Sequence, residues 1–371
     1  MSKIIAKSEI VLYNTLDLDF FERCEERMAK LIGIDLGTSS VLIFIRGKGI
    51  VLEEPSVAAI DSKTGELTEV GKEALLMLGR TPSEIEVVRP MRDGVISKYE
   101  ITLSMLRRFI KNAIGKNQIF KPFFSVCVPS GITDVEERAV RDAITQLGAR
   151  MIYIIEEPMA AAVGAGLDVT SPDAKLIIDI GGGTTDIAVI SSGKIAFSES
   201  LRVAGDKFDE AITRYVRKKY NVLIGERTAE KIKNELGSVW QREEPISLEV
   251  KGRDLIEGLP KCIRLNSSEM VGALEEPITL IVEALCNVLE KVPPELLGDI
   301  TKNGIVMTGG GSMLFGIDKL IANVVGIKTR VAENAISCVA IGTEKALEKH
   351  LEDPEKFPEF SKNKKQFELN L

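Results

Sequence analysis

The chain reads as α/β, assembled from two related halves around a shared cleft, and three observations carry that reading. An apolar strand that runs into an aspartate and a glycine–threonine turn occurs twice, as LIGIDLGTSS over residues 31–40 and as LIIDIGGGTTD over 176–186. Each copy continues into a second apolar run, 41–45 and 187–190, so each makes a strand–turn–strand hairpin at the head of one half. Around the hairpins, strand-like and helix-like segments alternate, the pattern of layered α/β domains. A tight turn without large side chains lets its backbone N–H groups converge on an anion such as phosphate. Asp35 and Asp179, at the strand ends, add carboxylates where a divalent cation would sit. One such hairpin is an ordinary Asp–Gly turn. Two, each heading a half, point to a nucleotide clamped between them.

In chain order, residues 1–30 do not match the rest of the chain: 4–13 has strand character and 18–28 reads as a short amphipathic helix. After the first hairpin come a turn at 47–49, strands at 50–52 and 54–60, a turn at 61–65 and a helix over 71–78. Residues 89–95 read as a loop. Apolar spacing over 101–114 is helical, 124–128 is a strand closed by Pro129, and 134–147 is a polar helix opened by Thr133 and Asp134. A strand at 151–155 leads into a helix of alanine and glycine over 158–166. In the second half a helix over 226–236 stops at Gly237. The strand 304–308 meets a triple-glycine loop, and a helix covers 314–325. A charged helix over 344–352 precedes a polar tail, 353–371.

Composition narrows the function. A length of 371 residues suits two or three domains with full cores. A net charge of −7 argues against a broad basic face for nucleic acid. No run approaches the roughly 18–20 apolar residues that span a membrane, and the first residues lack the pattern of a secretory signal. Five cysteines without paired spacing read as reduced thiols. The single histidine, His350, lies outside every motif, so hydrolysis falls to carboxylates, backbone donors and metal.

Four further segments carry candidate chemistry. Glu157, between Glu156 and Pro158 at a strand-to-helix junction, can orient a water toward a phosphate held by the two turns; alone it would be a helix-start acid facing the dipole. Gly309, Gly310, Gly311 and Ser312 form a loop that permits close approach of a ligand. Glu230, Lys231, Ile232 and Lys233 lie on the 226–236 helix, with Glu230 and Lys233 on one face; alone they would be a solvated pair. Ile119 and Phe120, with Lys111, Lys116 and Lys121 around them, describe either a shallow membrane contact or two core residues at a strand start.

The order of these motifs resembles the actin-like ATPase superfamily, and the wording is similar to its MreB/Mbl family of bacterial rod-shape proteins. The matching phrases are GIDLGT at 33–38, RGKGIV at 46–51, EPSV at 54–57, RPMRDGV at 89–95 and IEEPMAAA at 155–162. Downstream stand DIGGGTTDIAV at 179–189, AGDKFD at 204–209, IGERTAE at 224–230, PPEL at 293–296 and TGGG at 308–311. The resemblance implies four subdomains around a Mg-ATP cleft. Large subdomain IA would comprise 31–58, 92–170 and 338–352, with 59–91 as small subdomain IB. Large subdomain IIA would comprise 171–208 and 272–337, with 209–271 as IIB; 1–30 would be an extension.

It also implies roles. Asp35 and Asp179 match metal-side aspartates that act on Mg2+ through water. Thr38, Ser39 and Ser40, with Gly182, Gly183 and Thr184, match phosphate turns. The family's first turn often reads Gly-Thr-Ala-Asn, and Ser39 and Ser40 can still present backbone donors there. Glu157 matches the residue that positions the hydrolytic water. Glu230, Lys231, Ile232 and Lys233, and the loop from Gly309 to Ser312, flank the adenosine, and Ile119 with Phe120 matches a membrane-insertion loop. The function implied is a slow ATPase on the inner face of the cytoplasmic membrane. It would polymerise with itself and, with membrane proteins of the elongation machinery, organise cell-wall synthesis and rod shape, with no nucleic-acid partner. The alternative is a soluble small-molecule kinase of the same superfamily; a chaperone ATPase would need a substrate-binding domain after residue 352.

Overall fold

Two sheets with one strand order build the molecule, a computed structural model that describes residues 29–115 and 121–360. Expectations for 1–28, for Ile119 and Phe120, and for 361–371 lie outside the described residues. In the first half, β1 (Leu31–Leu36), β2 (Ser40–Ile45) and β3 (Gly49–Pro55) form an antiparallel meander. β4 (Ala58–Asp61), β5 (Leu67–Val70) and β6 (Ile85–Val88) make a separate small sheet, and β7 (Met91–Arg92) pairs with β8 (Val95–Ile96). β9 (Phe123–Val128) and β10 (Met151–Glu156) add to β1 in parallel, giving β10-β9-β1-β2-β3.

The second half repeats this plan. β11 (Lys175–Ile180), β12 (Thr185–Ser191) and β13 (Lys194–Leu201) form the meander, and β14 (Val222–Leu223), β15 (Ser247–Asp254) and β16 (Pro260–Asn266) the small sheet. β17 (Ile305–Thr308) and β18 (Thr329–Val331) add in parallel, giving β13-β12-β11-β17-β18. A register shift interrupts β2–β3 at Ile43/Phe44 and β12–β13 at Val189/Ile190, so the repeat extends to its irregularities. Central strands such as β9 and β11 are covered on both faces, which is why they read as unbroken apolar runs rather than alternations.

A shared core joins the halves. The helices Glu157–Gly164 and Cys338–Glu352 are packed between the sheets, among Leu31, Phe123 and Tyr153 of one and Ile177, Ala188 and Ile190 of the other. Glycines set their spacing. A Cβ on Gly164 would strike the Cys338 carbonyl, one on Gly342 would strike the Ala160 carbonyl, and one on Gly33 would sit 2.8 Å from the Glu344 amide nitrogen. Backbone lies against backbone there, and interiors packed at crystal density leave little room to yield.

Several segments differ from the sequence reading for identifiable reasons. The 89–95 loop is the β7–β8 hairpin: Asp93 (φ 50°) and Gly94 (φ 76°) both adopt the left-handed region that a two-residue turn of this hand needs. The strand read over 54–60 is divided, because Pro55 has no N–H for the ladder and the chain leaves the large sheet to start β4 at Ala58. The helix read over 314–325 starts at Ile317, after a tight helical turn over Gly310–Met313 and Gly316 at φ 80°. Residues 353–360 of the tail pack onto the body, with Phe357 9% exposed.

Inserting a methyl at the helix crossing is expected to force the two backbones apart. Gly342→Ala should lower stability by about 2 kcal/mol or more, at the upper part of the range for overpacked cores. A thermal or urea midpoint unchanged from the parent protein would show that the crossing can relax.

Candidate functional site

A cavity of about 410 Å³ lies between the halves. It is lined by Asp35, Thr38, Ser39, Ser40 and Glu157 from the first half, and by Asp179, Gly182, Gly183, Thr184, Glu230, Lys233, Gly309, Gly310 and Gly311 from the second. Three residues singled out from the sequence stand off it. Ile232 is fully buried in the second core, because only positions three or four apart share a helix face. Lys231 turns away to Glu235, 3.8 Å distant, and the Ser312 hydroxyl is used internally, donating to the Gly309 carbonyl at 2.6 Å. Gly94, Gly205, Asn234, Met313 and Ile336 line the cavity although no sequence motif marks them as ligand residues.

The two glycine turns face one another. A Cβ on Gly182 would strike Ser39, and one on Gly183 would strike Thr38, so only glycine allows the approach. Behind each turn a neighbouring segment holds the carbonyls. Ser56 donates its N–H to Ser39 O (2.9 Å) and its hydroxyl to Gly37 O (2.6 Å). On the other side the Gly205 and Asp206 amides, at the start of helix Gly205–Tyr220, donate to Gly181 O (3.1 Å) and Gly182 O (2.8 Å). The β7–β8 turn completes the seam, its Gly94 amide donating to Thr38 Oγ1 at 2.8 Å.

Four carboxyl groups cluster here: Asp35, Glu157 and Asp179 line the cavity, and Asp186 adjoins Glu157. Burial pushes Asp35 up to about 6, against a thiol hydrogen bond from Cys127 to its Oδ1 (3.5 Å). Burial likewise raises Asp179 to about 7, although the Thr308 hydroxyl donates to it at 2.6 Å. Asp186, fully buried and bonded by the Ser130 amide (3.1 Å) across the seam, rises to about 6. Glu157 is held well above the ordinary carboxylate range, first by burial and then by Asp186, Asp35 and Asp179. Asp186 is the participant that sequence reading missed; its place one residue inside the second hairpin, paired with Asp179 in register, was the available signal.

The cavity offers little countercharge. Among the described residues that line it, Lys233 is the one cation, and its ammonium is held by Asp209 (2.7 Å) and the Gly205 carbonyl (3.2 Å). Atoms of Asp35, Cys127 and Glu157 come within 4.8 Å of one another. Burial and the adjacent carboxylates raise the Cys127 thiol well above its usual value, so it stays protonated and leaves an oxygen donor set. Such a set, beside turns built for an anion, suits a small hard divalent cation that keeps waters and is shared with phosphate. Away from the cavity lining, Arg89 and Glu226 approach to 3.6 Å across the halves.

A family model described as MreB/Mbl protein matches residues 29–355. The chain belongs to this family. The cell shape-determining protein Mbl of Bacillus cereus is 49% identical over 315 residues, covering 85% of this chain and 95% of that protein. The cell shape-determining protein MreB of Escherichia coli K12 is 49% identical over 323 residues, covering 85% and 93%. The solved structure of MreB5 of Spiroplasma citri bound to AMPPNP has a TM-score of 0.83 at 39% identity, covering 87% of this chain and 98% of that one. A MamK double helical filament, 21% identical with a TM-score of 0.74, shares the fold. The fold of this MreB/Mbl-family chain is therefore the actin-like one, and nothing in these relatives favours the small-molecule kinase.

The carboxyl cluster makes a signed prediction. Groups whose folded pKa is raised bind protons more tightly folded than unfolded, so the stability they contribute is fully present below their ordinary value of 3.8, is lost as pH rises, and is gone once pH has passed about 6 to 7. Glu157→Gln should therefore raise the unfolding midpoint of chelator-treated protein near pH 8, with the gain shrinking toward pH 5. A gain independent of pH would contradict the electrostatic account.

Proposed function

We propose that this chain is an ATP-driven filament protein that works on the inner face of the cytoplasmic membrane to organise cell-wall synthesis and rod shape. The observation that carries the reading is the opposed pair of glycine turns above the shared carboxyl floor, in a chain of the MreB/Mbl family. The MreB5 structures bound to AMPPNP and to ADP, at 39% and 38% identity, support an adenine nucleotide as the ligand.

In this reading the amides of Thr38, Ser39, Ser40, Gly182, Gly183 and Thr184 hold the phosphates, and Glu230, Lys233 and Gly309 to Gly311 flank the adenosine. Asp35 and Asp179 would hold Mg2+, as the resemblance implies. The cation, when bound, neutralises charge on both the phosphates and the carboxyl floor. Glu157 orients the attacking water, and its position against Asp186 gives the departing proton a carboxylate pair to occupy. The four-subdomain division given by the resemblance follows the two large and two small sheets and belongs to the same proposal. Nucleotide held between halves biases their relative rotation, and a head-to-tail contact that does not close makes filaments. Ile119 and Phe120 would anchor those filaments to lipid, where membrane proteins of the elongation machinery meet them.

Glu157→Ala should keep nucleotide binding while phosphate release falls by roughly 100-fold, the scale of a lost general base; normal hydrolysis would make Glu157 a structural helix-start acid. Sedimentation with anionic liposomes should require ATP and should fall when Ile119 and Phe120 are both replaced by serine. Liposome binding that survives the double substitution sinks the membrane loop.

A further inference from the structure

The family match ends at residue 355, yet the chain beyond it is bound to the body by specific contacts. Residues 353–360 leave the helix Cys338–Glu352 and run along the exposed edge of β10, the last strand of the first sheet. The Phe360 amide donates to the Ile154 carbonyl at 2.9 Å, as an added strand would. Glu359 accepts from Arg141 at 2.8 Å and from the Ile154 amide at 3.4 Å. Phe357 inserts its ring into the core shared by the halves, beneath the Lys349 ammonium 4.9 Å away. His350 fixes it from behind: Nδ1 donates to the Phe357 carbonyl at 2.6 Å, and the imidazole lies 4.7 Å from the Tyr153 ring.

The same segment reaches the second half. A Cβ on Gly193, in the β12–β13 turn, would lie 2.9 Å from the Lys356 carbonyl, so the strap passes against that turn at backbone distance. Beneath it is a groove of about 210 Å³ lined from one half by Tyr153, Ile155 and Met159, from the other by Ile195, and by Phe357 and Phe360 of the strap itself. β12 runs from Thr185 at the glycine turn to Ser191, so the Gly193 turn stands at the end of the strand remote from the cleft. Rotation of the halves about the central helices changes the spacing between β10 and this turn, and a segment seated on both must move with it.

We propose that residues 353–360 are a strap across the back of the hinge that restrains rotation of the halves and thereby slows nucleotide release from the cleft. The second clause rests on the nucleotide reading above; the first does not. Phe357 anchors the strap through apolar burial, whereas the β10 edge and Arg141 set its course. Cleft opening therefore requires Phe357 to withdraw or the groove to deform, and a partner or lipid surface that drew the tail away would loosen the hinge.

The test uses the full chain carrying Phe357→Ser, with Phe357→Leu as the conservative control. Hydrogen exchange should rise in Phe357→Ser at the strap and β10, and also at the Ser192 and Gly193 turn and the helix Glu157–Gly164. Phe357→Leu should stay close to the parent protein. Release of a fluorescent ATP analogue should quicken by at least about five-fold in the serine variant, the lower end of ordinary site-to-site coupling. Faster exchange confined to residues 353–360 and β10 would overturn the restraint. Bound analogue released at the parent rate would overturn the link to the cleft. A parent protein that binds no nucleotide would instead refute the nucleotide reading, leaving exchange at the Gly193 turn to decide the strap.

Discussion

Asp35 and Glu157 from one half, and Asp179 and Asp186 from the other, share a buried seam: burial raises the proton affinity of all four, and the neighbouring carboxylates raise Glu157 and Asp179 further. Most of the remaining architecture serves that seam. Burial removes the water that would screen the charges, so the protein must supply compensating groups or keep protons. What it supplies are neutral donors, among them a Cys127 thiol, a Thr308 hydroxyl and a Ser130 amide. Lys233, the one cation among the described residues that line the cavity, is committed to Asp209. An arrangement that is electrostatically incomplete by itself suits a bound cation, as the proposed function requires, and gives up stability at the place where binding would need it.

Close approaches onto glycine set the packing around the seam. Gly182 and Gly183 meet the side chains of Ser39 and Thr38 across it, and behind it Gly164 and Gly342 sit on opposing carbonyls of the two central helices. Because the carbonyls of both turns are tied to Ser56 and to the start of helix Gly205–Tyr220, the turns are rigid within their own halves. Relative motion is thus concentrated between the halves. Among the described residues, contacts that cross them at the periphery include a part-exposed Arg89–Glu226 pair and the tail at the rear.

Much of this is legible in the sequence because local chemistry forces it. An apolar strand ending in Asp and a glycine turn must make a hairpin, and the Thr133 cap with Glu136 three residues on opens its helix as the pattern requires. Other features escape because their signal is not local. Gly94 reads as a loop residue although an Asp–Gly pair is a strong hairpin signal, since the flanking strands are only two residues long. Lys231, Ile232 and Ser312 group with true lining residues in the sequence because proximity along the chain does not say which side of a helix or turn faces a cavity. The tail reads as polar, and two phenylalanines, Phe357 and Phe360, outweigh that polarity.

The sequence by itself determined the two hairpins, the alternation of strand and helix, the acid before Pro158 and the membership of an actin-like family, because each depends on residues near one another in the chain. Only the tertiary structure decided that the carboxyls of both hairpins share one buried floor with Glu157. It also added Asp186 and Cys127 to that floor and brought the tail back across the hinge. Those outcomes rest on burial and distance between segments far apart in sequence, and a proton affinity or a groove exists only once the segments have met.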